Sequence, residues 1–230
     1  MLLHAKSIMD VDCVDVYYGR IGDVYTDGGA DKVADRANPG DGLRDGPIWR
    51  LLRRILADTI GIEAALLKFD TGPNGKPYIL APTEPALWFN ISHTTDRYCI
   101  AISSSVPVGV DIERIRTDRD YPAMAEYAFT PQEARAIDGT SRDKTALKFV
   151  ALWVRKEAII KSIGGSSARL LDSFSVPTTL TRCRFTVKAA TRTIAVQDLP
   201  AGTAHRVSVA WEGAENVSIN YRRIDSYYED

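Results

Sequence analysis

The chain has 230 residues, 45% of them hydrophobic, with 29 basic side chains against 30 acidic ones. That is enough to bury a core in one large domain or two small ones, and the near-balance of charge excludes a global field that would draw the protein to nucleic acid or an anionic membrane. An anionic ligand must therefore be met by a local cluster. Cys13, Cys99 and Cys183 are odd in number and far apart, which speaks against a disulfide framework or zinc site and for a reducing compartment. The opening MLLHAKSIMDVD lacks the apolar core of a signal peptide. Uncharged stretches such as Tyr98–Val110 fall short of the roughly 20 residues of a membrane span. A cytoplasmic protein, monomeric and without membrane or nucleic-acid partners, is expected.

Cys13–Tyr18, rich in Val and Tyr, is the first predicted strand. Residues 19–47, heavy in Gly, Asp, Asn and Pro, read as a long polar loop. Ile48–Ile60 carries apolar residues at Ile48, Leu51, Leu52, Ile55, Leu56 and Ile60, a helical stripe ended by Gly61. Phe69 to Lys76 is turn-like, and Leu87–Ile91, Tyr98–Ser103 and Pro107–Glu113 read as strands. A polar stretch leads to a short helix at Pro131–Asp138 with Thr130 as N-cap. A longer helix spans Thr145–Ile163 and stops at Gly164-Gly165. Strands are expected at Phe174–Val176, Arg182–Lys188, Thr193–Val196, Arg206–Trp211 and Asn216–Arg222.

The halves suggest an internal repeat. Placing Arg97 on Arg206 pairs Ile100 with Val209, Ala101 with Ala210, Val108 with Val217 and Val110 with Ile219, without a gap. Two alternating hairpins can also align this way without common origin. In the same alignment Asp111 and Glu113 face Asn220 and Arg222, so only the first copy carries acids.

Three segments carry chemistry. In Pro-Val-Gly-Val-Asp-Ile-Glu at 107–113, strand alternation puts Asp111 and Glu113 on one face. Two carboxylates side by side call for a cation, and oxygen-only ligands suit magnesium better than zinc; a solvated strand end is the plain alternative. In Trp-Val-Arg-Lys-Glu-Ala-Ile-Ile-Lys at 153–161, Trp153, Glu157 and Lys161 share a helical stripe, with Leu147, Ala151, Val154 and Ala158 as the packing face. Glu157 and Lys161 are equally an ordinary surface pair. Phe-Asn-Ile-Ser-His at 89–93 offers a hydroxyl and an imidazole at a strand end, and Gly75-Lys76-Pro77 a cation on a stiff turn. Ser92 and Asn90 also suit turns, and His93 a structural role.

Taken in this order and separation, GKP, FNISH, GVDIE and WxxKEAxxK resemble the 4′-phosphopantetheinyl transferases, in particular the single-chain, surfactin-type holo-carrier-protein synthases. The resemblance runs from about Arg44 to Val176 and includes Leu171–Val176. It implies an α+β fold of two similar subdomains, each a small antiparallel sheet with a long helix, related by a pseudo-twofold axis. The subdomains would be residues 1–116 and 117–230, joined near 114–120.

The resemblance further implies coenzyme A as substrate, bound between the subdomains, and an apo acyl or peptidyl carrier protein as the second partner. Asp111, Glu113 and Glu157 would hold Mg2+, or Mn2+ in its place. Glu157 would serve as base and Lys161 would hold a diphosphate oxygen. Arg44, Lys76, Ser92 and His93 would contact coenzyme A phosphates, with Lys32 and Arg36 as further basic candidates. Arg114, Arg116 and Arg119 would face the carrier. A coenzyme A- or nucleotide-binding protein without catalysis, and a magnesium-dependent phosphohydrolase, are the alternatives.

Overall fold

The structure is a computed structural model that describes residues 13–25, 46–137, 141–165, 170–177, 182–187, 192–213 and 217–224. Arg44, Lys32 and Arg36 lie outside them. The first half contains β1 (Cys13–Arg20), the short α1 (Ile21–Tyr25), α2 (Pro47–Ile60), β2 (Lys68–Thr71), β3 (Pro77–Ala81), β4 (Trp88–His93), β5 (Arg97–Ser103) and β6 (Val108–Arg114). The second contains α3 (Tyr121–Ala128), α4 (Pro131–Ile137), α5 (Arg142–Ser162), β7 (Arg182–Val187), β8 (Arg192–Leu199), β9 (His205–Glu212) and β10 (Ser218–Ile224).

The strands form two four-stranded sheets, ordered β10-β1-β5-β4 and β6-β9-β8-β7, and the separate hairpin β2-β3. Every pairing is antiparallel except β1 with β10. Alternation along the strands builds four layers. On the outer face of the first sheet, Tyr98, Ile100 and Ile102 meet Leu51, Leu52, Ile55 and Leu56 of α2. On its inner face, Val14, Val16, Cys99 and Ala101 meet Val108, Val110, Val207, Val209 and Trp211 of the second sheet. The outer face of that sheet, with Ile194, Val196 and Ala210, packs on α5.

The repeat is visible in this arrangement, with one exchange. β5 corresponds to β9 and β6 to β10, but each copy's last strand crosses to the other copy's sheet: β6 pairs with β9, and β10 pairs with β1 beside β5. Val108 and Val110 in one copy and Val217 and Ile219 in the other face the same inter-sheet core. Sheet membership thus crosses a division at 116/117: β6 precedes it in the chain yet belongs to the second sheet.

Local signals account for most elements. Of the α2 stripe, Ile48, Leu51, Leu52, Ile55 and Leu56 are buried as expected and Ile60 is half-buried, and Gly61 ends the helix in the left-handed region at φ 71°. Thr130 and Glu133 form a reciprocal capping box on α4, with the Thr130 N–H donating to Glu133 Oε2 at 3.1 Å and the Glu133 N–H to Thr130 Oγ1 at 3.4 Å. Four expectations are corrected. The stretch at 19–47 read as a polar loop holds the end of β1, α1 and the first residue of α2, with 26–45 outside the described residues. The stretch read as turn-like contains β2 and the turn into β3, because only Gly72–Gly75 is turn and the flanking strands are short. The polar start of the second half is α3, capped by Asp120. Phe174–Val176 is not a strand: the Phe174 carbonyl accepts from Lys156 Nζ and the Val176 N–H donates to Glu133.

Candidate functional site

β6 is an edge strand of the second sheet, and its outward main-chain groups would be unsatisfied without partners. Side chains supply them. Asn90 Oδ1 accepts the Val110 N–H at 2.9 Å, and Ser92 Oγ accepts the Ile112 N–H at 3.4 Å. Lys76 Nζ donates to the Val108 carbonyl at 2.8 Å and Lys161 Nζ to the Val110 carbonyl at 3.4 Å. Two residues of FNISH, the lysine of GKP and the last lysine of the α5 motif therefore converge on the strand that carries the acid pair.

Gly109, Asp111 and Glu113 occupy the face of β6 turned away from the inter-sheet core, toward α5. The helix lies directly on Gly109: a Cβ there would collide with the Ala158 carbonyl oxygen and the Ser162 nitrogen and stand 2.9 Å from the Lys161 carbonyl carbon. This close approach brings the last turns of α5 against Asp111. Asp111 is buried, and its Oδ1 accepts from Lys161 Nζ at 2.5 Å and from Ser92 Oγ at 2.8 Å. Its Oδ2 is buried with no hydrogen-bond partner.

Burial raises the Asp111 carboxyl above the ordinary carboxylate range, while Lys161 and Ser92 pull it back. Burial also raises Glu113, with the charges of Asp111 and Glu157 adding to the rise and Arg119 and Lys161 opposing it. The three acids thus sense one another. They are not drawn into a ligand set: among the described residues no group of three or more His, Cys, Asp and Glu side chains is placed to hold a metal ion. Lys161 sits on Asp111.

Several expected residues have different surroundings from those anticipated. Glu157 is buried at 8% exposure, so it is no ordinary surface charge, and Lys161 is paired with Asp111. The buried face of α5 is also wider than the predicted four positions. Leu147 and Ala151 are only half-buried, whereas Phe149, Val150, Leu152, Ile159 and Ile160 join Val154 and Ala158 in the core, and Trp153 stacks on Phe149. A helix covered on several sides has no single apolar stripe. Ser92 is half-buried, and its hydroxyl is engaged with Asp111 and Lys161. His93 is exposed at the end of β4, its Nδ1 3.2 Å from the Thr94 carbonyl. Arg114, Arg116 and Arg119 are exposed, with Arg116 paired to Asp118 at 2.9 Å.

Lys76 departs furthest from expectation. Its ammonium donates to the carbonyls of Val108 at 2.8 Å, Lys161 at 2.7 Å and Ser162 at 3.2 Å, rather than standing free for a phosphate. Burial lowers its pKa to about 8. Beside it a cavity of about 360 Å³ lies between the β2–β3 hairpin, the start of β4 and the end of α5, lined by Asn74, Tyr78, Trp88, Phe89, Ser162 and Gly164 among others.

Sequence reasoning missed Asn90 as a main-chain partner of β6 and Lys156 as the anchor of α5. Lys156 is fully buried, paired with Glu133 at 2.7 Å and bonded to the Leu171 and Phe174 carbonyls. A charged residue inside a helix that is otherwise buried was the available signal.

The site thus combines a lysine on a buried carboxylate, a second acid on the same strand face and a buried glutamate on the facing helix. In comparison with known proteins, residues 107–210 match the family model of the 4′-phosphopantetheinyl transferase superfamily. The chain is 35% identical over 124 residues to the 4′-phosphopantetheinyl transferase AcpT of Escherichia coli O157:H7, covering 54% of this chain and 61% of that protein. It is 35% identical over 126 residues to a 4′-phosphopantetheinyl transferase of Bacillus subtilis, covering 55% and 54%. Against the 4′-phosphopantetheinyl transferase Sfp of Bacillus subtilis strain 168 it is 33% identical over 129 residues, covering 55% and 54%. The chain spans about half the length of the curated relatives it matches. No described helix is long and apolar enough to cross a membrane.

Proposed function

We propose that this protein transfers the 4′-phosphopantetheine group of coenzyme A to a serine of an apo acyl or peptidyl carrier protein. The serine oxygen forms a bond to the β-phosphorus of coenzyme A, the pyrophosphate bond breaks, and adenosine 3′,5′-bisphosphate leaves. The observation that carries this reading is the convergence of GKP, FNISH and the α5 motif on β6, which puts Lys161 and Asp111 in contact from segments 50 residues apart.

The residues present suit Mg2+, with Mn2+ as its substitute: all candidate donors are carboxylate oxygens, and Asp111 Oδ2 is buried without a donor. Asp111, Glu113 and Glu157 would hold the ion, which when bound supplies Lewis-acid stabilisation of the diphosphate. Lys161, beside Asp111, is placed to neutralise a diphosphate oxygen. Glu157 accepts the proton of the carrier serine, a role its burial supports. His93, exposed at the strand end, meets a coenzyme A phosphate, with Arg44 as its partner there. The cavity of about 360 Å³ is of a size to take the base. Arg114, Arg116 and Arg119 offer a basic approach for an acidic carrier, and the reaction is placed in the cytoplasm, with specialised metabolism as its setting and a monomer as the working form.

Intact-mass measurement of an apo carrier incubated with the protein, coenzyme A and Mg2+ tests the reading. A gain equal to phosphopantetheine, lost on chelation, is the expected result. Release of free phosphopantetheine without carrier modification would identify a hydrolase, and no reaction at all a binding protein.

A further inference from the structure

We infer that Lys76 is a positioning residue that clamps the last turn of α5 to β6, and that it does not bind coenzyme A phosphate; this rests on the transferase reading of the site. Its side chain comes from the β2–β3 hairpin, yet all three of its hydrogen bonds go to main-chain carbonyls of other elements. Val108 lies on β6 three residues before Asp111. Lys161 and Ser162 close α5, and Lys161 itself bears the ammonium that contacts Asp111. Carbonyls at a helix C-terminus lack intrahelical partners and carry the negative end of the helix dipole, so a buried cation suits them.

The clamp acts where α5 and β6 pack backbone against backbone at Gly109. No side chain fills the gap there, so the spacing between Lys161 and Asp111 depends on what holds the two main chains together. Among the described residues, Lys76 bonds the main chains of both. A second tie from the same hairpin reinforces it: Asn74 Nδ2 donates to the Gly164 carbonyl at 2.8 Å, one turn beyond. A tetrahedral ammonium can meet three converging carbonyls, whereas the planar guanidinium of arginine presents its donors in a fork.

The two roles for Lys76 separate by measurement. In Lys76→Met and Lys76→Gln, turnover at saturating coenzyme A and apo carrier should fall about 10- to 100-fold, the penalty for misplacing catalytic groups by about an ångström. The ratio of coenzyme A to dephospho-coenzyme A affinities, read by calorimetry, should stay at the wild-type value. Amide exchange should accelerate at the end of α5 and along β6. Lys76→Arg should fail to restore turnover although it keeps the charge. A narrowed affinity ratio, with Lys76→Arg restoring coenzyme A binding and exchange unchanged, would make Lys76 a phosphate ligand and overturn the inference. Wild-type turnover in Lys76→Gln would overturn it as well. If the wild type modifies no carrier, the transferase reading fails by itself. The exchange measurement then still decides the clamp, and unaltered exchange in Lys76→Met refutes it.

Discussion

Gly109→Ala tests the contact on which the site is built. The added methyl would stand 2.9 Å from the Lys161 carbonyl carbon and nearer still to the Ala158 oxygen and the Ser162 nitrogen. Ordinary carbon contacts begin near about 3.5 Å, so α5 must retreat by about 1 Å. All three obstructing atoms are main chain, so no rotamer change relieves the clash. Overpacking of this kind costs about 1–3 kcal/mol, which for a chain of this length lowers Tm by about 2–4 °C per kcal/mol. The functional effect is the larger one. Moving Lys161 and Glu157 by an ångström relative to Asp111 predicts a loss of about 100-fold in turnover. The assay pairs urea denaturation with carrier modification at saturating substrates. Gly22→Ala in α1, where nothing lies within 4 Å of the new methyl, is the control and should be neutral or stabilising by up to about 1 kcal/mol. A Gly109→Ala protein within about 0.5 kcal/mol of wild type, and with turnover within a factor of about 3, would refute the close-packing argument.

Further expectations concern buried charge. Glu113→Gln should raise the thermal stability of the metal-free protein while abolishing transfer. The Glu113 carboxyl is raised by burial and by its acidic neighbours, so the folded state favours its protonated form, and the wild type should lose stability relative to the variant as pH climbs above the usual carboxylate range; equal stability across that range contradicts this. Lys156→Met leaves Glu133 charged and buried, at a cost of about 3–5 kcal/mol; a loss under about 1 kcal/mol by urea denaturation would show the pair to be dispensable.

What the sequence discloses follows the range of the interactions. The α2 stripe, the Gly61 stop, the capping box at Thr130 and the shared face of Asp111 and Glu113 are local, and periodicity and spacing reveal them. The repeat of β5–β6 in β9–β10 is also legible because the same alternation faces the same core. The exchange of β6 and β10 between sheets leaves no local mark, since a strand alternates alike whichever neighbour it meets. Lys76 shows the same limit. Its turn is plain in Gly75-Lys76-Pro77, but its partners lie 32, 85 and 86 residues away, and a lysine near a phosphate-type motif looks like a ligand until those carbonyls are found. Glu157 was ambiguous because an i,i+4 pair on a helix is usually solvated. Only the packing of α5 against β6 shows that it is buried.

The central claim is that Glu157 and Lys161 on α5, set against Asp111 and Glu113 on β6, form a centre for transfer to a carrier. Its most direct test compares the wild type with Glu157→Gln in the intact-mass assay, alongside thermal unfolding and coenzyme A binding. The wild type should add one phosphopantetheine per carrier with Mg2+ present. Glu157→Gln should unfold near the wild-type temperature, bind coenzyme A with moderate loss and transfer roughly 100- to 10,000-fold more slowly. Retention of more than about a tenth of wild-type turnover would contradict the account and remove Glu157 from the chemistry.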